Sequence, residues 1–220
     1  MCQDLKSLIE PAIERPQYMP AIEFETPRLR LRQWRRADYA PLADLNADPK
    51  VMEFFPSTQD RKASEAAAER MQAELAERGW GLWAVDRRDT SEFIGFVGLH
   101  VPTGPLPFMP CVEVGWRLAA AHWGKGFASE AAAAALQVGF ERVQIPEIVS
   151  FAAAINKKSR AVMTRIGMRD TGVTFQHPRV PAKSPLRQHC LYLLNREQWC
   201  ELPGRLVVEP AYEGKKSASG

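Results

Sequence analysis

The 220-residue sequence predicts an α/β domain in which helices cover both faces of a mixed β-sheet. Three observations predict it. In the first half of the chain, strand candidates follow one another through polar turns, as in antiparallel hairpins. In the second half, strand candidates alternate with helix candidates, as parallel strands require. The composition, 45% hydrophobic and 25% charged, is that of a globular protein large enough for one ordinary core.

The domain is predicted to span residues 23–202, between an N-terminal extension (1–22) and a C-terminal tail (203–220). Prolines at positions 11, 16 and 20 interrupt the apolar residues of the extension, so that it cannot form a long helix. The tail ends in small and charged residues, which are typical of a disordered terminus.

Composition also excludes some classes of function. A net charge of +3 is too small to predict nucleic-acid binding, and no apolar run is long enough to span a membrane. The four cysteines are scattered without metal-ligand spacing, so we predict free thiols, a cytoplasmic protein and no metal site.

The first elements are a strand and two helices. Apolar and basic residues alternate over 24–32, which predicts one half-buried strand with its arginines on a solvated face. Asp38 is a suitable N-cap for a helix over 39–46. A second helix is predicted over 60–78, rich in alanine and glutamate and ended by a glycine.

The remaining elements alternate more regularly. Strands are predicted at 80–85 and 93–100, joined by the polar turn 86–91. After a proline-rich loop, the later elements are a strand at 112–118, a helix at 127–142, a strand at 148–153, a helix between Asn156 and Gly167, and strands at 169–176 and 187–194.

A loop with two glycines joins the strand at 112–118 to the next helix. Gly124 and Gly126, on either side of Lys125, allow the main chain to approach a ligand closely. The helix start beyond them leaves N–H groups without intrahelical partners, and with the helix dipole these favour an anion such as phosphate. Lys125 either contacts that phosphate or is a solvated loop lysine. The spacing fits neither a P-loop nor a dinucleotide fingerprint.

Four motifs in this order resemble the GNAT superfamily of acyl-CoA-dependent N-acetyltransferases, and within it the RimJ/RimL-type ribosomal-protein acetyltransferases. They are Thr26-Pro27-Arg28-Leu29-Arg30-Leu31-Arg32, Glu113-Val114-Gly115-Trp116-Arg117-Leu118, Trp123 to Ala131, and Asn156 with Ser159, Gly167 and Met168. The resemblance implies a single domain with a splayed central mixed sheet, acetyl-CoA as the acyl donor, and its pantetheine arm in the gap between two strands. The residues that it implies for cofactor binding are Val114, Gly115, Trp116, Arg117, Leu118, Trp123, Gly124, Lys125, Gly126, Phe127, Ala128, Ser129, Asn156 and Ser159.

The sequence departs from the family pattern at two positions. Trp123 stands where the diphosphate loop usually has Gln or Arg, which weakens the case for a side-chain contact there. Met163 stands where many members have a tyrosine that protonates the leaving thiolate. By similarity to the RimJ/RimL group, Ser159 is the substitute candidate.

The resemblance leaves the catalytic roles open between two interpretations each. Glu113 is either the general base, directly or through a water, or a strand carboxylate paired with an arginine such as Arg117. Asn156 is either a helix cap or a cap that also holds pantetheine. Ser159 is either an acid or an ordinary first-turn serine, and His100 is a second candidate base.

The acceptor is expected to be a primary amine, either a protein N-terminal α-amine or a small-molecule amine, attacking in a ternary complex. Its pocket is predicted to involve residues around 50–60, 80–83, 100–111 and 176–187. His177, Arg179 and Lys183 either rim this pocket or belong to a solvated loop. Because Met163 replaces the proton-donating tyrosine, a second hypothesis stays open, in which the protein is a non-catalytic acyl-CoA sensor. A nucleic-acid or membrane partner is not expected, and a homodimer is left open.

Overall fold

The computed structural model describes residues 20–203 and 209–210. Most of the predicted extension and tail therefore lies outside the described residues. The two described tail residues, Glu209 and Pro210, pair with the first strand of the sheet. In the described part of the chain, no helix is both long and apolar enough to cross a bilayer.

A mixed sheet of nine strands forms the centre of the described residues, in the order β7-β8-β6-β5-β4-β3-β2-β1-β9. The strands are β1 Phe24–Glu25, β2 Leu29–Arg32, β3 Leu82–Arg87, β4 Phe93–His100, β5 Glu113–Leu118, β6 Glu147–Ala153, β7 Arg169–Gln176, β8 Gln188–Asn195 and β9 Glu209–Pro210. The helices are α1 Tyr39–Ala47, α2 Arg61–Arg78, α3 Phe127–Gln137, α4 Lys157–Arg165 and α5 Arg196–Glu201, with a π-helical turn, Val138–Val143, directly after α3. The predicted α/β fold class is confirmed.

The first predicted strand is in fact two strands. Thr26 turns the chain between β1 and β2, with its N–H bonded to the Leu29 carbonyl at 2.8 Å, and the two strands pair antiparallel. The prediction of a solvated arginine face is wrong for Arg32, which is only 3% exposed. Its guanidinium contacts the carboxylates of Asp38 and Asp86 at 2.7 and 2.5 Å.

Asp38 does not cap α1 through its side chain, contrary to the sequence prediction. Its carboxylate instead accepts hydrogen bonds from Arg32 and from the Arg35 main-chain N–H. The predicted helix is nevertheless present, because the Asp38 carboxylate can serve as the counterion of Arg32 without changing the main chain of α1. The predicted stop of α2 is confirmed, because Gly79 takes a left-handed conformation with φ of 77°.

The two faces of the sheet are covered by different helices. Leu99 of β4 and Ile148 of β6 point toward the turn after α3, where both approach Gly139. Side chains alternate along a strand, so Phe96 and His100 of β4 point the other way. On that second face Phe96 packs near Trp34, and Arg117 bonds Asn46 of α1.

The sheet splays between β5 and β6, its one parallel pair among the described residues. These strands share a single register pair, Glu113 with Val149. The Val149 N–H donates to the Val112 carbonyl, and the Ser150 hydroxyl donates to the Val114 carbonyl, both at 2.9 Å. The side chain of Ser150 thus replaces a main-chain bond where the strands part, and the gap opens toward Leu118.

Candidate active site

The loop before α3 has the geometry of an anion site. Gly124 and Gly126 have φ of 75° and 82°, a region that glycine enters without a Cβ penalty. No side chain caps α3 at Gly126, and the first bond of the helix runs from the Glu130 N–H to the Gly126 carbonyl at 3.0 Å. The N–H groups of residues 127–129, in the first turn of α3, therefore donate no hydrogen bond to a capping side chain, and they lie next to an exposed loop.

Trp123 fixes the loop to the end of β5. Its indole N–H donates to the Leu118 carbonyl at 2.8 Å. The ammonium groups of Lys158 and Lys50 lie 4.7 and 5.9 Å from the centre of its ring. The side chain is therefore engaged with the strand end and two lysines, and it positions the main chain that follows.

A buried carboxylate supports the same loop from behind, and sequence reasoning missed it. One oxygen of Glu130 accepts from the Thr26 hydroxyl at 2.7 Å and from the Arg28 N–H at 3.0 Å. The other oxygen accepts from Arg28 Nε at 2.6 Å. Arg28 also donates to the Lys125 carbonyl at 2.8 Å, so the turn between β1 and β2 holds the loop.

This arrangement resolves an electrostatic conflict. A carboxylate in the first turn of α3 stabilises the helix dipole but would repel a phosphate at the same end. Arg28 neutralises Glu130 and leaves the loop N–H groups as the attractive feature. The signal in the sequence was the pair of motifs themselves, Thr26-Pro27-Arg28 and Glu130, although nothing in their spacing predicts that they meet.

The edge of β5 that faces the gap carries the polar groups of alternate residues. The carbonyls of Val112 and Val114 both point to β6, as their bonds to Val149 and Ser150 demonstrate. In an extended strand the N–H and C=O of one residue point to the same side. The Val114 N–H therefore points to β6, where the Glu113–Val149 register pair takes it into the ladder, and the unpaired edge of β5 begins beyond it.

Glu113 is paired with His100 and not with Arg117. His100 lies directly opposite Glu113 in the β4–β5 register, and its Nε2 is 2.9 Å from the Glu113 carboxylate. Burial lowers the pKa of His100, but the charge of Glu113 and the hydrogen bond to it outweigh burial and raise that pKa above its ordinary value. The partner of Glu113 is therefore His100 and not the arginine that the strand-carboxylate interpretation named, and the role of Glu113 as a base stays a prediction.

The space beside this pair is open because the next residue on that face is a glycine. The nearest atoms to a Cβ at Gly115 would be His100 Nε2, at 3.9 Å, and Glu113 Oε1 and His100 Cδ2, both at 4.0 Å, which are ordinary contact distances. Both polar groups therefore border a clear area of the sheet surface. A reactant amine that enters from this face has room next to the pair.

Arg117 continues the same face of β5, because side chains alternate along a strand. Its guanidinium donates to the Asn46 amide oxygen at 2.6 Å and stacks over Phe55, 4.2 Å from the ring centre. Burial lowers the pKa of Arg117 to about 10.

Asn156 and Ser159 begin α4 as predicted. The Asn156 side chain caps the helix by accepting from the Ser159 N–H at 3.0 Å. Met163, at the position of the family tyrosine, is only 1% exposed and belongs to the core. Of the three side chains, Ser159 and Asn156 are partly exposed at the helix start and Met163 is not.

The far end of this sheet face is aromatic. Phe108 from the proline-rich loop contacts Phe151 and Phe175, and His177 packs against His189 with ring centres 4.7 Å apart and the rings tilted by 39°. Burial, together with the nearby His189 and Arg179, lowers the pKa of His177 to about 4. His177 is therefore neutral at pH 7 and part of this cluster.

Two of the predicted pocket segments meet at this aromatic end. Arg179 donates to the Thr103 carbonyl at 2.7 Å, which joins the loops around 100–111 and 176–187. Within residues 80–83, Trp80 and Trp83 are buried, 3% and 0% exposed, whereas Leu82 is partly exposed and lies opposite Gly98 in the register. That this segment lines the pocket stays a prediction.

Cys111 is buried on the same face, two residues before Glu113. Burial and the charges of Glu113 and Glu147 raise the pKa of its thiol to about 12. At neutral pH the nucleophilic thiolate is therefore a very small fraction. Among the described residues, no three His, Cys, Asp or Glu side chains converge in a way that would hold a metal ion.

Comparison with known proteins agrees with this geometry. The family model of the acetyltransferase (GNAT) domain matches residues 28–169. The Bacillus subtilis protein YkkB is 34% identical over 144 residues, covering 65% of this chain and 83% of YkkB. A crystal structure of an acetyltransferase from Agrobacterium tumefaciens is 30% identical, with a TM-score of 0.64 over 83% of this chain and 99% of that one.

A RimJ protein shares the fold, and assignment to the RimJ/RimL subgroup stays a prediction. The structure of Mycobacterium smegmatis RimJ in complex with CoA-disulfide superposes with a TM-score of 0.62, at 23% identity, over 83% of this chain and 88% of that one. The family match covers well over half of the sequence and includes the strand, the glycine loop and α3. The chain belongs to the GNAT family of acetyltransferases, and it is an N-acetyltransferase that takes its acetyl group from acetyl-CoA.

Proposed function

We propose that the enzyme acetylates a primary amine, a protein N-terminal α-amine or a small-molecule amine, by direct attack on acetyl-CoA in a ternary complex. The observation that carries the proposal is the arrangement of three features along β5. The Glu113–His100 pair and the point where the strands part lie at the start of β5, and the uncapped start of α3 follows its end. Each of them supplies one requirement of acyl transfer from a thioester.

The donor is held by main-chain groups on this proposal. The diphosphate binds the N–H groups of Gly124 to Ser129, in the loop supported by Trp123 and Arg28. The pantetheine arm pairs with the free edge of β5, from Val114 to Leu118, as an added strand would. Asn156 and Ser159, at the start of α4, border the arm near its sulfur.

An N–H of the unpaired edge of β5, near Val114, stabilises the reaction's developing charge. The amine attacks the thioester carbonyl, and negative charge develops on the carbonyl oxygen as the tetrahedral intermediate forms. A fixed N–H at the fork of the strands donates to that oxygen without reorganisation. Binding both reactants at one place makes the transfer effectively intramolecular.

The Glu113–His100 pair accepts the proton that the amine loses, directly or through a water. The pair borders the open area above Gly115, where an acceptor can approach the thioester. The leaving CoA thiolate, with an ordinary thiol pKa of about 8.5, needs only a weak acid, and the Ser159 hydroxyl is the nearest candidate by family likeness. An α-amine, with a pKa of about 8, suits a modest base better than a lysine does.

Release of free CoA from acetyl-CoA, measured with a panel of amines and N-terminal peptides, tests the proposal. We expect steady turnover with at least one acceptor and a fall in kcat/KM of about 10²–10³-fold in Glu113→Gln. Glu147→Gln removes a half-buried carboxylate from the neighbouring strand and serves as the matched control. Tight acetyl-CoA binding without turnover for any amine would favour the sensor hypothesis that Met163 suggests.

The direct route is tested separately at Cys111. Because its thiol is buried and its pKa is raised to about 12, we expect Cys111→Ala to keep its turnover. Loss of acetylation in a folded Cys111→Ala enzyme, with a labelled acyl group on the wild-type thiol, would contradict direct transfer.

A further inference from the structure

Arg117 holds a largely buried positive charge that has no counterion. Its guanidinium donates one hydrogen bond, to the neutral amide oxygen of Asn46, and stacks over the rings of Phe55 and Phe96 at 4.2 and 5.4 Å. Its Nε is buried without a hydrogen-bond partner, and within residues 20–203 no carboxylate lies within 4 Å of the guanidinium. Burying an unpaired charge is costly, so this cation has the character of a half-completed site.

The location of Arg117 connects it to the reaction. Glu113, Gly115 and Arg117 follow one another on one face of β5, and Gly115 leaves the surface between the two charged residues clear. Four residues of an extended strand span about 13 Å. A molecule lying along β5 with its amine beside Glu113 therefore extends toward Arg117.

We propose that Arg117 binds a carboxylate of the acceptor, and that the substrates are amines carrying a carboxylate within about 13 Å of the reacting nitrogen. This inference rests on the acetyl transfer proposed above and names the class of acceptor for it. Arginine is suited to the role because its planar fork of donors matches a carboxylate in two parallel hydrogen bonds. The rings of Phe55 and Phe96 fix the orientation of the guanidinium, and by excluding water they strengthen its attraction for a carboxylate.

The donor is a less suitable source of this anion. The start of α3, where the diphosphate is proposed to bind, belongs to a helix on the opposite face of the sheet. Arg117 points away from that helix, toward α1 and the loop that carries Phe55. The two anion sites therefore serve different reactants.

Matched pairs of acceptors test the proposal through CoA release. One pair is the dipeptide amides Ala-Glu and Ala-Gln, and the other is γ-aminobutyrate and butylamine. The two members of each pair differ in the carboxylate and little in size. We expect kcat/KM of the wild-type enzyme to favour the acidic member by about 10–100-fold, the usual discrimination of a charge-assisted hydrogen bond. In Arg117→Met that ratio falls to about 1, and in Arg117→Lys, which keeps the charge without the fork, it is intermediate.

A second variant makes the same test without removing the arginine. Asn46→Asp places a carboxylate where Arg117 already donates, and the Ser64 hydroxyl beside residue 46 can donate to it in turn. The internal counterion competes with the acceptor, so the preference for acidic acceptors falls although Arg117 is present.

The outcomes separate this inference from the proposed function. Turnover of neutral and acidic members at equal kcat/KM in the wild-type enzyme overturns the acidic-acceptor assignment alone. A higher KM for acetyl-CoA in Arg117→Met, with an unchanged acceptor ratio, assigns Arg117 to the donor and also overturns it. An equal loss of kcat/KM for both members in Arg117→Met, with a lower melting temperature, makes the residue structural and overturns the assignment. No turnover with any amine overturns the proposed function together with this inference.

Discussion

Two arginines on the same sheet, Arg32 fully buried and Arg117 partly buried, have opposite surroundings. Arg32 donates to both oxygens of Asp38 and both oxygens of Asp86, with its side chain only 4% exposed. Arg117 is also desolvated but has a neutral amide and two aromatic rings as its neighbours. The charge of Arg32 is neutralised within the fold, whereas the charge of Arg117 is neutralised only when an external anion binds.

The pKa values of the two side chains respond in opposite directions to these surroundings. Burial lowers the pKa of Arg32, but hydrogen bonds to Asp38 and Asp86 outweigh burial and raise it. For Arg117 burial acts alone and lowers the pKa. Burial therefore does not distinguish a structural arginine from a binding one, whereas the presence of a counterion does.

The largest expected effect is on stability at Arg32. In Arg32→Met the carboxylates of Asp38 and Asp86 face each other without a cation, and breaking such a cluster costs about 3–5 kcal/mol. Urea unfolding measures the loss. Arg30→Met, on the same strand and 38% exposed, is the matched control and should cost no more than about 1 kcal/mol.

A rescue variant decides whether charge is the cause. The triple variant Arg32→Met, Asp38→Asn, Asp86→Asn should recover part of the lost free energy of unfolding, because it removes the two unpaired carboxylates. A triple variant less stable than Arg32→Met alone would contradict the electrostatic account.

Arg28 is the next case, a half-exposed arginine with one buried partner. Arg28→Met removes the cation that neutralises Glu130 and the donor to Lys125. We expect KM for acetyl-CoA to rise about tenfold, a change of about 1.4 kcal/mol, with kcat changed less than about twofold. Arg30→Met should leave KM unaltered, and an equal effect in both variants would exclude a specific support for the glycine loop.

The contrast among these arginines also explains how far the sequence can be interpreted. Local patterns predict the strands after β2, α2 with its stop at Gly79, the glycine loop and the cap at Asn156, because each depends on residues a few positions apart. The alternation over residues 24–32 assigns side chains to faces but not to partners. Glu130 lies 104 residues from Thr26, and no local pattern predicts that contact.

The contact between Glu113 and His100 could be predicted from the sequence only if the register of β4 and β5 were known. The two residues lie opposite each other in an antiparallel pair, so the register alone would have predicted their contact. The intervening loop of residues 101–112 is long and rich in proline, and it leaves that register undetermined. The lack of a counterion at Arg117 is a property of the whole fold, which no motif contains.

The His100–Glu113 pair is intermediate, because its charge depends on pH. The pKa of His100 is raised in the folded protein, so the pair stabilises the fold fully below pH 6.5, the ordinary histidine value, and less as pH rises through the folded-state pKa. The difference in free energy of unfolding between the wild-type enzyme and His100→Gln should be about 1 kcal/mol or less at pH 6 and smaller at pH 8.5. A difference that grows with pH would contradict this ion pair.

The smallest expected effect, and the one that most directly tests the comparison, is on stability at Arg117. Arg117→Met replaces a desolvated cation by an apolar side chain of similar length, so it removes the cost of an unpaired charge along with one hydrogen bond and a stack. We expect a change in the free energy of unfolding within about 1 kcal/mol of zero, whereas Arg32→Met loses several. Thermal and urea unfolding of both variants in one buffer make the comparison. A loss at Arg117 as large as that at Arg32 would mean that its aromatic neighbours and Asn46 already compensate the charge, and the reason to expect an external anion would disappear.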